Sequence, residues 1–383
     1  MAEFDSIENV AQEIKNKLNS NTNKKSIALL YAFNATWKTR LSNEFNSLND
    51  ELDNDEIEEM IDSWDTLMEP KIKVLCYNAF LEDLFRWENV NFVLEFKFHW
   101  VIDFIQEQDL ENNIKNIYIN ITNSKIEPNF NYEDESINFP IITTWDDGVI
   151  HEENIKVSKS EESILIWSIF YSILEVVIEA LNTDKLEDRI TNKFDNLEYI
   201  VIDDPVSSID DARIITIADK LFQTIKWSNN KQLNFLLTTH HALFYNVLFN
   251  SFRWIGKAEA KKYNYILSKN SNNKLELKWQ DDDTPFAYHL LIINRIKEVI
   301  DNWDIEKYHF NLFRTLLEKT ANFLGYSKSI DCLSWDKKEE FHRVINLYSH
   351  WKLSEMENNE PSNEEKELLI ETFNWFLENF KYN

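Results

Sequence analysis

The spacing of apolar residues divides the chain into two kinds of pattern. Ser26 to Tyr31 is a short continuous apolar run, which predicts a buried strand; a polar turn at Asn34–Lys38 and a helix to about Asn49 follow. Lys71 to Phe80 predicts a second strand, and Leu81 to Trp87 a loop or short helix. Ile117, Ile119 and Ile121 alternate with polar residues, so Ile114 to Thr144 is expected to hold strands. Glu161 to Leu181 is strongly apolar at helical spacing. Glu198 to Ile202, ending in two aspartates, and Leu233 to Thr238, ending at two histidines, are further short apolar runs. Buried strands alternating with helices predict an α/β sheet. From about Phe286 onward the pattern is purely helical and rich in Phe, Trp and Leu. Three aspartates and a proline at Asp281–Pro285 break the pattern, so a domain boundary is expected there, between residues 1–280 and 286–383.

Composition narrows the class. The 383 residues are 43% hydrophobic and 14% aromatic, enough for two or three well-buried domains. No apolar run reaches the ~18–20 residues of a membrane span, and Met1 to Lys25 is polar, so neither a membrane association nor a secretory signal is expected. Cys76 and Cys332 lie far apart and fit no metal or disulfide pattern, which points to a reducing cytoplasm. The formal net charge of -27 argues against a protein coated in nucleic acid. Charge is uneven, however. Between Phe252 and Trp279 seven cations (Arg253, Lys257, Lys261, Lys262, Lys269, Lys274, Lys278) face only Glu259 and Glu276, with Trp254, Tyr263, Tyr265 and Trp279 interleaved. Such a stretch suits single-stranded RNA, where rings stack on bases; a solvated hairpin with ordinary core aromatics fits it too. Glycine occurs only at positions 148, 256 and 325, so any phosphate-binding loop must lack its usual residues.

That loop is expected at Ala32–Thr39, between a strand and a helix, the context a P-loop requires. Lys38 would reach the β- and γ-phosphates and Thr39 would ligate Mg²⁺, with Asn34 and Thr36 in the loop between. Alanine stands at 32 and 35 and tryptophan at 37, where glycine would let the backbone curl around phosphate oxygens. Three further strings follow in order. Tyr199–Pro205 looks like a Walker B strand, with Asp203 holding Mg²⁺ through water and Asp204 at the position that orients an attacking water. Ser207 to Asp210 resembles the D-loop of ABC ATPases, and Thr238-Thr239-His240 an H-loop whose histidine senses the γ-phosphate. Upstream, Val157 to Glu162 opens a long helix as the ABC signature does, with Ser158 at its start and Ser160 where glycine is usual. Four motifs at the proper strand and helix ends predict an ABC-type P-loop domain, whose nucleotide would be ATP, GTP or dTTP with Mg²⁺.

The strings Tyr31-Ala32-Phe33-Asn34, Lys38-Thr39-Arg40-Leu41-Ser42, Tyr77-Asn78-Ala79-Phe80, Ile202 to Ser208 and Leu243 to Leu248 are more specific, and by them the chain resembles the anticodon nucleases of the PrrC and RloC type over nearly its whole length. The resemblance implies a tRNA-cutting C-terminal half whose catalytic set is an Arg, a Glu four residues later and a His further on. Here Arg314 and Glu318 match the first two and His350 the third. Arg343 to His350 also looks like the Arg…His motif of the HEPN ribonuclease superfamily, adding Arg343 and Asn346. Arg314 and Glu318 are at i, i+4 and share a helix face, as do Arg343, Asn346 and His350 at i, i+3 and i+7. Packed side by side, the two helices would form one pocket for metal-independent cleavage, giving a 2′,3′-cyclic phosphate and a 5′-hydroxyl. The resemblance further implies a homodimer or higher oligomer and a type I restriction–modification complex as silencing partner in phage defence. The competing readings are a nucleotide-sensing ABC module of the RecF/SMC class and an inert relative. The former group inserts a long coiled coil where only about 120 residues separate Thr39 from Ser158.

Overall fold

A computed structural model describes residues 2–20, 23–32, 38–47, 72–77, 84–97, 99–144, 150–207, 209–270, 274–280, 288–349 and 360–380. The chain divides into two units, Met1–Pro285 and Phe286–Asn383.

The first unit runs β1 (Ala2–Phe4), α1 (Ile7–Leu18), β2 (Lys25–Ala32), α2 (Lys38–Ser47), β3 (Val74–Tyr77), β4 (Phe85–Glu88), β5 (Val93–Phe96), α3 (Trp100–Glu107), α4 (Glu111–Thr122), β6 (Asn129–Asn131), β7 (Ser136–Asn138), β8 (Pro140–Thr144) and β9 (Ile150–Asn154). It continues with α5 (Lys159–Asn182), β10 (Tyr199–Asp203), α6 (Asp211–Trp227), β11 (Asn234–Thr239), α7 (Ala242–Phe252), β12 (Ala260–Lys269) and β13 (Leu275–Trp279). The main sheet is ordered β1-β13-β12-β2-β11-β10-β3, with the five strands from β12 to β3 parallel and β13 and β1 joined antiparallel at the other edge. Every residue of β2, β10 and β11 is buried, as a strand covered on both faces must be. Leu29, Leu237, Ile202 and Tyr77 lie side by side in register, so the carboxyl ends of three buried strands meet at one edge.

α5 is the helix this sheet needs as a partner. Almost all of its side chains from Glu162 to Leu181 are buried, so it is apolar all round rather than amphipathic. By length and composition α5 could cross a bilayer, contrary to the expectation that no segment would. Yet 83% of its most apolar window is buried inside the fold, the environment of a core helix. Its start is fixed by a capping box in which Ser158 and Glu161 satisfy each other's backbone N–H groups.

Two expectations for this unit are corrected, and a third choice is decided. Glu111–Thr122 is a helix, not strands, because Ile114, Ile117, Tyr118 and Ile121 fall at i, i+3, i+4 and i+7 and are all buried; the alternation at Ile117, Ile119 and Ile121 is incidental. Phe85–Glu88 is a strand paired with β5, where a loop or short helix was expected. Of the two readings of the basic stretch, the hairpin with core aromatics is the one found, built into the main sheet with β12 running parallel to β2. Tyr263 and Tyr265 are therefore core residues facing α1, and only Trp254 and Trp279 among the four rings reach solvent.

The second unit is helical throughout its described residues: α8 (Tyr288–Asp301), α9 (Lys307–Leu324), a 3-10 turn (Ser329–Cys332), α10 (Lys338–Ser349) and α11 (Asn363–Phe380). Its own core gathers Ile292, Ile296, Phe310, Leu317, Phe341 and Phe373 around Phe313. The Phe313 ring lies 5.3–5.5 Å from those of Phe341, Phe373 and Phe376, in tilted or edge-on contact. Gly325 ends α9 at φ 78°, a left-handed cap that a side chain would strain.

Candidate functional site

The carboxyl ends of β2, β10 and β11 carry the chemistry of the first unit. In an open α/β sheet ligands bind beyond those ends. β2 leads to Lys38 and Thr39 at the start of α2, β10 ends at Asp203, and β11, which lies between them, ends at Thr239 before His240. Lys38 Nζ lies 3.0 Å from Asp204 Oδ2. The same carboxylate meets His240 Nδ1, and its other oxygen accepts from the Thr239 hydroxyl at 3.2 Å and the His240 backbone N–H at 3.3 Å. Asp204 takes a left-handed φ of 53° and donates its N–H to the Thr238 carbonyl, which turns its side chain into this cluster. Asn34 and Thr36 lie outside the described residues.

The two aspartates have opposite electrostatics. Burial is the largest influence on both and disfavours charge. At Asp203 it prevails: the carboxyl is raised, with the neighbouring Asp204 adding to the effect, although the Thr238 and Thr39 hydroxyls bond to it. At Asp204 the His240 hydrogen bond and the Lys38 charge outweigh burial and hold the carboxyl down to about 2. A group with a depressed folded pKa stabilises above its unfolded value of about 4 and loses that contribution as pH falls. The pH dependence of thermal unfolding should therefore be shallower for Asp204→Asn than for the unchanged protein between about pH 4 and 2. Matching slopes in that window would show that the Lys38–Asp204–His240 cluster does not stabilise the fold.

The donor set fits a magnesium nucleotide. Thr39 and Asp203, the expected Mg²⁺ partners, are within hydrogen-bonding reach of each other, and a Mg²⁺ held by substrate phosphates needs few protein ligands. Among the described residues no group of three or more His, Cys, Asp or Glu could hold a metal by itself.

A residue the sequence reading missed joins the remaining motifs. Asp210 caps α6 and pairs with Arg213, whose Nε lies 3.1 Å from its carboxylate. The Arg213 guanidinium also reaches Ser160 Oγ at 3.4 Å and the Thr122 carbonyl at 3.2 Å. The D-loop-like and signature-like helix starts are thus tied through one side chain. Its only signal in sequence is an arginine three residues after a capping aspartate.

In the second unit Arg314 Nε donates to Glu318 Oε1 at 2.7 Å, and both side chains are partly exposed (38% and 46%), open to a ligand. α9 presents Lys307, Asn311, Arg314 and Glu318 along one line at i, i+4, i+7 and i+11. The end of α10 is fastened to that line: Asn311 Nδ2 donates to the Tyr348 carbonyl at 3.3 Å, and Lys307 Nζ sits 5.7 Å above the Tyr348 ring. Tyr348 in turn donates to Glu365 Oε2 at 2.8 Å on α11. His350 lies outside the described residues. Arg343 and Asn346 are placed by the packing of α10. That helix buries Phe341 and Ile345 and packs Tyr348 on the core, so positions 343 and 346 project from the opposite flank, with Arg343 exposed and Asn346 half-buried. Among the described residues neither bonds to the Arg314–Glu318 pair. His309, by contrast, is fully buried in α9, accepts from the Glu306 N–H at 2.9 Å and is pushed by burial down to about 4, a neutral structural imidazole.

Strand order and side-chain placement define an α/β module built on a largely parallel sheet, beside a separate helical unit. No protein-family model matches the chain. A curated protein from Escherichia coli named "Anticodon nuclease" is 38% identical over 356 residues, covering 89% of this chain and 85% of that one. The chain belongs to the anticodon nuclease family. Solved structures found by shape include an SMC head bound to the C-winged helix domain of ScpA, with a TM-score of 0.27 and 11% identity over 46% of this chain and 44% of that one. Another is the SMC head domain from Thermotoga maritima, with a TM-score of 0.24 and 9% identity over 47% of this chain and 51% of that one. These overlaps are too slight to bear on the fold, which rests on the sheet order above.

Proposed function

We propose that the protein is a tRNA anticodon nuclease, with the Arg314–Glu318 pair at its cutting site and the first unit as a nucleotide-binding regulator. The observation that carries this reading is a family match spanning both units, joined to an Arg–Glu pair on the helix face to which the end of α10 is fastened. RNA supplies its own nucleophile, the 2′-hydroxyl. The protein must accept that proton, return one to the leaving 5′-oxygen and stabilise the charge developing on phosphorus. His350 suits the proton transfers, as imidazole titrates near neutrality. Glu318 orients the histidine or shares its work, and it holds Arg314 extended. The Arg314 guanidinium faces the phosphate and can bind it with two parallel N–H groups. No step in this scheme calls on a metal.

Lys38, Thr39, Asp203, Asp204 and His240 would hold a magnesium nucleotide, which when bound supplies phosphate charge for Lys38. Lys38 and His240 share Asp204, so both would have to exchange that carboxylate for phosphate oxygens. Ser158 and Asp210 stand at helix starts suited to a second copy's nucleotide in a homodimer, and a type I restriction–modification complex is the inhibitory partner that the family resemblance suggests. A cytoplasmic setting agrees with free thiols at Cys76 and Cys332.

Sequencing of RNA ends from cells expressing the protein tests the reading. Breaks in one tRNA anticodon loop, bearing 2′,3′-cyclic phosphate and 5′-hydroxyl ends and formed equally in EDTA, are expected. Intact tRNA beside well-folded protein would refute it.

A further inference from the structure

At the amino-terminal edge of the main sheet, opposite the nucleotide residues, the chain presents a basic island with an exposed indole. β2 and β12 begin there side by side, Lys25 in register with Ala260. The loop joining α7 to β12 holds Arg253, Trp254, Lys257 and, at the strand's start, Lys261, all exposed. Lys24 joins them, its Nζ 2.8 Å from the Lys257 carbonyl. The end of α6 adds the exposed Lys226, whose carbonyl accepts from buried Lys25. Glu259 is the only carboxylate within the loop. A concentration of cations in a chain of net charge -27 runs against its overall composition.

The loop is built to be rigid. The Lys262 ammonium donates to the carbonyls of Phe252 and Ile255 at 3.0 and 2.8 Å, closing the end of α7 from both sides of Trp254. Trp254, Ile255 and Glu259 donate their N–H groups back into successive turns. Yet Trp254 remains 80% exposed. An indole turned to water contributes almost nothing to the fold, whereas an exposed ring among cations is an arrangement on which unpaired bases stack.

We infer that this island is a second RNA-docking surface, in which Lys24, Lys226, Lys257 and Lys261 follow a phosphate backbone and Trp254 stacks on an unpaired base. The inference rests on the nuclease reading for its choice of polyanion. β2 alone is about 25 Å long, so the surface is well separated from the nucleotide residues.

Equilibrium binding of whole tRNA to the full chain, measured across a salt series with RNA integrity checked, decides the matter. Lys257→Glu/Lys261→Glu should weaken binding on the order of tenfold at ~0.1 M salt and lower the salt slope by roughly one per lysine. Lys257→Gln/Lys261→Gln should give a smaller shift of the same sign, a safeguard against misfolding. Trp254→Ala should weaken binding about fivefold or more at an unchanged slope, with partial rescue by Trp254→Phe. Lys125→Glu, an exposed change elsewhere, should do neither. Unchanged affinity and slope in the double variants would overturn the inference, as would a shift in oligomeric state in their place. Patch-dependent binding without cleavage would keep this surface and sink the nuclease reading; cleavage with patch-independent binding would do the reverse. A wild-type chain that binds no RNA would remove both.

Discussion

His350→Ala and Arg314→Ala are each expected to lower the rate of anticodon-loop cleavage by about 10²- to 10⁴-fold while leaving tRNA affinity within a few-fold. The imidazole is proposed to act only when protons move, and general acid–base groups contribute on that scale. The guanidinium stabilises charge that appears in the transition state, and a lost donor of that kind costs about 10²- to 10³-fold. Because Arg314 and Glu318 bond to each other at 2.7 Å, their effects should not add. Glu318→Gln, which keeps the shape and removes the charge, should lose less than Arg314→Ala, and the double variant should be little worse than Arg314→Ala alone. Single-turnover cleavage of purified tRNA provides the measurement. Additive losses would mean that the two side chains work at separate places. Undiminished cleavage by His350→Ala would remove the histidine from the chemistry.

Phe313→Ala should cost about 3–5 kcal/mol, enough to unfold the helical unit at ordinary temperatures. Its ring is fully buried and packs on three other phenylalanines from two helices, so truncation leaves a cavity that α10 and α11 cannot both collapse to fill. The first unit has a core of its own, so the variant should lose cleavage yet keep Lys38, Asp204 and His240 in a folded sheet. Calorimetry should show one transition displaced and the other retained. A joint shift of both transitions would show that the two cores unfold as one.

The buried parallel strands were readable because each is a short apolar run followed or closed by polar residues of distinctive kind: Lys-Thr beyond β2, Asp-Asp across the end of β10, Thr-Thr-His-His across the end of β11. The helix that opens the Ile114–Thr144 span was not, since three isoleucines at alternate positions satisfy a period of two locally while the longer pattern satisfies 3.6. The tyrosines of the basic stretch left two readings open for another reason. Tyr263 and Tyr265 alternate with polar neighbours as an exposed hairpin would, and only their position against α1 buries them.

The sequence by itself determined which groups are present and how far apart they stand along one element. Arg314 and Glu318 share a helix face by spacing alone, and Lys38 and Thr39 open a helix after a strand by pattern alone. Tertiary structure decided what meets what across elements. It brought Lys38 to Asp204 and His240, gave Arg213 its three partners, and set Arg343 and Asn346 on the flank of α10 opposite its buried Phe341 and Ile345. The physical reason is that helical and strand periods fix directions only relative to an element's own axis. Which direction faces a neighbour is set by the apolar residues that must be buried, and on α10 those are Phe341 and Ile345 rather than the polar row beside them.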